Sequence, residues 1–124
     1  MKTMKEILED LIKKIKEHPK VIAIILFGSY AKGQNKPISD IDIAVILKNP
    51  NFDDEAEIGS LYSDKIDLVL FHRLPLHIQY EVFKWGKELF VRDEDSLLEI
   101  KTRVLRDYLE TRWLYKRIAN GILK

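Results

Sequence analysis

Cysteine is absent from the 124 residues, and histidine occurs only three times. The first absence removes disulfides, thiol nucleophiles and cysteine-ligated zinc from consideration. Neither sign of charge is in excess, since 21 basic and 20 acidic side chains leave a formal net charge of +1. So even a balance argues against holding nucleic acid by bulk neutralisation of phosphates, and no strong nucleic-acid binding is expected. No apolar run approaches the length that spans a bilayer, so no membrane partner is expected either. The N-terminal stretch Met1-Lys2-Thr3-Met4-Lys5-Glu6 passes into an amphipathic pattern without the core or cleavage signal of a secretory leader, which predicts a cytoplasmic protein. Internal repeats, low-complexity tracts and linkers are lacking too. The length then predicts one domain, residues 1–124.

What the chain does have is hydrophobic content of 46% beside charged content of 33%, the ordinary mixture of a globular domain. From Thr3 to Glu17, apolar residues at Met4, Ile7, Leu8, Leu11, Ile12 and Ile15 fall at helical spacing. Thr3 with Glu6 suggests a capping box, and His18-Pro19 ends the helix. Val21–Phe27 and Ile41–Leu47 read as buried strands, and Lys65–Phe71 as a third. Between them Asn49-Pro50-Asn51 breaks the chain, and the acidic, weakly periodic Phe52–Tyr62 reads as a short helix or an ordered loop. Pro75 suits the first turn of a helix reaching Trp85, with Gly86 at its end. Glu88–Val91 reads as a short edge strand, and a long helix over about Asp95–Asn120 closes the chain. The class is α/β or α+β: a small mixed sheet flanked by helices.

The chemistry concentrates in Phe27-Gly28-Ser29-Tyr30-Ala31-Lys32-Gly33 and Ser39-Asp40-Ile41-Asp42-Ile43-Ala44-Val45. Glycine at a strand end lets backbone approach a ligand closely. A helical turn opening at Ser29 would point unpaired N–H groups outward as an anion site. Asp40 and Asp42 alternate along a strand, so their carboxylates share a face about 7 Å apart. Gly28 and Gly33 have the glycine spacing of a P-loop, but Gln34-Asn35 stands where that motif needs Lys followed by Ser or Thr. Alone, the Gly-Ser pair is also consistent with a plain turn, and the two aspartates with a helix cap or a solvated strand entry. Asp67 tightens the case, because an unpaired carboxylate inside an apolar strand is expensive to bury. If that strand lies beside the Asp40–Asp42 strand, three carboxylates converge, which a divalent cation makes tolerable. Hard oxygen ligands select Mg²⁺ or Mn²⁺. A phosphate cradle beside such carboxylates describes a site for a nucleoside triphosphate.

These residues, Gly28-Ser29, Gly33, Ser39-Asp40-Ile41-Asp42 and the later Asp67, resemble the signature of the DNA polymerase beta-like nucleotidyltransferase superfamily. The chain length and the wording of the motif resemble its minimal nucleotidyltransferase branch, whose members are often paired as antitoxins with a HEPN-domain ribonuclease toxin. The resemblance covers residues 21–71. It implies the polymerase beta-like fold with a long C-terminal helix, and transfer of AMP from ATP to a hydroxyl, with a tyrosine of a cognate HEPN toxin as acceptor. It implies that Gly28 and Ser29 hold the β- and γ-phosphates, that Asp40 and Asp42 bind Mg²⁺, and that Asp67 completes the metal site and helps deprotonate the attacking hydroxyl. Ser39 would orient the loop or a phosphate. Lys32 stands where the family often has arginine, a mild departure that leaves its contact with phosphate open.

Two rival readings stand beside this one. The chain could neutralise a partner by complex formation alone, or serve a small-molecule acceptor such as an aminoglycoside. Enzymes of the second kind usually carry a further substrate domain. His18, His72 and His77 lack ligand-like spacing with an acidic partner and read as surface or strand-end residues. Arg92-Asp93 reads as structural rather than as a pocket wall. The last helix mixes basic and acidic residues as a solvated face does, yet Tyr108, Trp113 and Tyr115 among basic neighbours also suit a protein–protein contact.

Overall fold

The computed structural model of the chain describes residues 2–28 and 41–121. Thr3 opens the first helix, α1 (Met4–Lys16), by accepting a hydrogen bond from the Glu6 backbone N–H. The apolar runs become strands β1 (Val21–Phe27) and β2 (Ile41–Leu47) at the expected bounds. There follow α2 (Phe52–Gly59), β3 (Ile66–Leu70), a single 3₁₀ turn over Phe71–Arg73, α3 (Leu76–Trp85), β4 (Lys87–Val91) and α4 (Glu94–Ala119). The four strands line up in the order β3-β2-β1-β4. β1 is antiparallel to both its neighbours and β2 is parallel to β3, so the sheet is mixed.

Helices cover both faces, which is why β1 reads as one apolar run rather than an alternation. One face packs Ile24, Leu26, Ile41, Ile43 and Val45 against Leu11 and Ile15 of α1 and Ile58 of α2. The other packs Ala23, Ile25, Ala44 and Ile46 against Val82 of α3 and Leu97 and Val104 of α4. A register shift between Val21 and Ala23 lets Ile22 and Ala23 serve the same face.

The ambiguous stretch after Asn51 is a helix, and its cap explains why. The Asn51 side chain accepts from the Asp54 N–H at 2.8 Å, and the Asp54 carboxylate accepts from the Asn51 N–H at 2.9 Å. That reciprocal pair fixes a helix start that weak periodicity does not announce. The edge strand begins one residue before the expected Glu88. Pro75 is the N-cap of α3 rather than part of its first turn. Asp93 caps α4 through the Ser96 N–H at 3.1 Å, which starts that helix at Glu94. Of its 26 residues only Leu97 and Val104 are fully buried, and beyond Tyr108 nearly every position is exposed. No described helix is long and apolar enough to cross a membrane.

Candidate active site

Strand register brings the chemistry together. In the parallel β2–β3 ladder, Asp42 and Asp67 are direct partners. Paired residues on adjacent strands project to the same face about 4.8 Å apart along the sheet. Alternation places both on the α3–α4 side, because Ile41, Ile43, Ile66 and Leu68 serve the opposite core. Asp42 is half-buried and Asp67 exposed. On the other side of Asp42 its antiparallel partner is Phe27, and the next residue is Gly28.

Gly28 sits at φ +83°, where side chains are strained. A Cβ built on it would come within 2.3 Å of Asp42 Oδ2. The carboxylate therefore occupies the space that any larger residue would need. Gly28, Asp42 and Asp67 thus form one cluster at the end of the sheet where β1 leaves it and β2 and β3 enter it. Ser29, Lys32, Ser39 and Asp40, the other residues singled out in the sequence, lie outside the described residues. Among the described residues there is no group of three or more His, Cys, Asp and Glu side chains placed to hold a metal ion. Two neighbouring carboxylates on one face with a tight glycine beside them still suit a hard divalent cation. Their oxygens are the right donors, and their mutual repulsion is relieved by positive charge.

The other polar clusters have structural work. His18, read as a surface or strand-end residue, lies just before β1 but is buried, with Nε2 3.1 Å from Asp54 Oδ1 and 3.1 Å from Glu57 Oε2. The Asn51 N–H and the Lys20 ammonium hold the Asp54 carboxyl below the usual range. His72, also expected without an acidic partner, pairs with Glu55, which takes a two-pronged hydrogen bond from Arg73 at 2.8 and 2.9 Å. Arg73 first and His72 second pull Glu55 down to about 2. Both clusters fasten α2 at the end of the sheet opposite Asp42 and Asp67. Arg92 donates to the carbonyls of Lys16, His18 and Val21 and lies 5.3 Å from the Phe90 ring centroid, a structural tie as expected. His18 and Asp54 stand 36 positions apart in sequence, and His72 and Glu55 17, so spacing gave no signal of either pair.

Residues 9–95 match the family described as Polymerase beta, Nucleotidyltransferase. A Methanocaldococcus jannaschii protein provisionally named as a protein adenylyltransferase is 40% identical over 80 residues, 64% of this chain. The match spans 63% of that relative's length. The protein adenylyltransferase MntA of Shewanella oneidensis is 29% identical over 107 residues, 81% of this chain and 77% of its own. Two solved structures share the fold. One is a toxin–antitoxin with AMP-PNP, at TM-score 0.69 and 24% identity, covering 98% of this chain and 100% of that one. The other is a tri-AMPylated Shewanella oneidensis HEPN toxin in complex with MNT antitoxin, at TM-score 0.68 and 23% identity over the same shares.

Proposed function

The chain belongs to the polymerase beta nucleotidyltransferase family, and from that premise we propose that it is a protein adenylyltransferase, one catalytic domain that moves AMP from ATP to a hydroxyl of a partner protein in the cytoplasm. The observation that carries the reading is the register pairing of Asp42 with Asp67, set against a glycine that leaves room for nothing but the carboxylate. The names of the two relatives point the same way.

In this reading the backbone at Gly28 and Ser29 would receive the β- and γ-phosphates and Ser39 would orient the loop or a phosphate, while Lys32 stands where the family often has arginine. Asp40, Asp42 and Asp67 would hold Mg²⁺ or Mn²⁺, which when bound supplies charge neutralisation for the triphosphate. Asp67, the more exposed of the described pair, takes the proton from the acceptor hydroxyl. The hydroxyl oxygen bonds to the α-phosphorus, the bond to the β-phosphate oxygen breaks, and pyrophosphate leaves. Positioning and electrostatics do most of this work, so no covalent intermediate on the protein is needed. The acceptor we propose is a tyrosine of a HEPN-domain toxin, the kind of protein found AMPylated in the second solved complex.

The test is transfer of label from α-labelled ATP to a co-expressed HEPN partner. Asp42→Asn should lower transfer at least about 100-fold, while circular dichroism and melting stay near wild type. Undiminished labelling by that variant would sink the mechanism. A second reading, neutralisation by complex formation alone, draws on the exposed Leu109, Trp113, Tyr115 and Ile118 of α4. It predicts that Asp42→Asn still silences the toxin at equimolar ratio, an outcome that would make binding sufficient and catalysis secondary.

A further inference from the structure

Trp85 lies at the end of the sheet that carries Gly28, Asp42 and Asp67, and no sequence motif singles it out. It is the last residue of α3, and the glycine after it is pressed against β1. A Cβ on Gly86 would come within 2.5 Å of Ile25 Cγ2 and 3.1 Å of the Leu26 carbonyl oxygen. Lys87, next in line, pairs with Leu26. The helix end is thus fixed two residues short of Gly28. The face also coincides, because Val82 of α3 packs in the cluster of Ile25, Ala44 and Ile46, the side to which Asp42 and Asp67 belong by alternation. From the start of β4 to Asp67 is three strand spacings, roughly 14 Å. That is the scale of an extended nucleoside triphosphate.

Trp85 keeps 48% of its surface exposed. The Lys84 ammonium lies over the indole, 5.2 Å from its ring centroid, so a cation already marks this partly exposed aromatic surface. We propose that Trp85 is a wall of the base subsite: the purine of the bound nucleotide stacks on the indole while the triphosphate runs toward Gly28 and the two carboxylates. This rests on the nucleotide-site reading above and adds to it the part of the substrate that the carboxylates do not touch.

The test uses the chain's two tryptophans. In a Trp113→Phe background, emission comes from Trp85 alone. Titration with ATP in magnesium buffer should quench or shift it, and tripolyphosphate, which has no base, should not. By calorimetry, Trp85→Ala should lose roughly 5- to 100-fold in ATP affinity and leave tripolyphosphate affinity unchanged, with Trp85→Phe recovering most of the loss. ATP binding with unmoved emission and equal affinity in Trp85→Ala overturns the base subsite and leaves the nucleotide site standing. Equal weakening toward both ligands also overturns it, by showing a general structural role. A wild-type chain that binds neither ligand overturns both readings together.

Discussion

Gly28 shows how much one missing methyl group can carry. Its φ of +83° and the 2.3 Å separation between a would-be Cβ and Asp42 Oδ2 act together. Gly28→Ala should therefore cost about 1–2 kcal/mol of stability and displace the Asp42 carboxylate. The expected result is a melting temperature lowered by a few degrees with transfer nearly abolished. A variant that transfers normally would show that the close approach is not needed. Glu55 gives a residue-scale prediction of a different kind. Its folded pKa is depressed from the ordinary value to about 2, chiefly by Arg73. The unfolded chain then binds the proton more readily, so stability from this group is fully present above about pH 5 and is lost as pH falls toward 2. Urea midpoints between pH 6 and pH 3 should fall less steeply for Glu55→Gln than for wild type. At this scale the sequence marked Asp42 and Asp67 as carboxylates in otherwise apolar strands, but their side-by-side placement came only with the pairing of β2 and β3. The sequence hid the His18–Asp54 and His72–Glu55 pairs, which chain folding alone brings together.

Among the elements, strands and amphipathic helices were legible almost to the residue, because apolar period and punctuation coincide in α1, β1 and β2. The helix α2 was not, since its eight residues carry too little periodicity and its start depends on a side-chain cap. Removing that cap with Asn51→Ala should cost about 1 kcal/mol, read as a melting temperature lower by roughly 4 °C. Gly86 matters likewise to α3: its would-be Cβ meets the Val82 carbonyl oxygen at 2.2 Å, a backbone atom that cannot swing aside. Gly86→Ala should push the end of α3 off β1, lowering ATP affinity and stability in the same variant. Unchanged calorimetric binding would contradict that link.

For the molecule as a whole, the mixed sheet and its two helical layers follow from the pattern, but the strand order does not. Sequence left open whether β3 lies beside β2, and tertiary packing decides it. The same layering divides α4. Its first half seals the core through Leu97 and Val104, whereas its second half carries Leu109, Trp113, Leu114, Tyr115 and Ile118 outward. If the partner is the HEPN protein proposed above, Trp113→Ala with Tyr115→Ala should weaken association with it by tenfold or more in a pull-down titration, and leave ATP binding as it was. Intact association would move the partner surface elsewhere. The parallel pairing of β2 with β3 has one more consequence. The two carboxylates are contributed by separate strands joined through α2, so the pair does not exist until the later of the two strands has been made and has docked beside the earlier one. In the proposed enzyme, a copy halted before β3 would therefore lack half of its carboxylate pair even with β1 and β2 already in place.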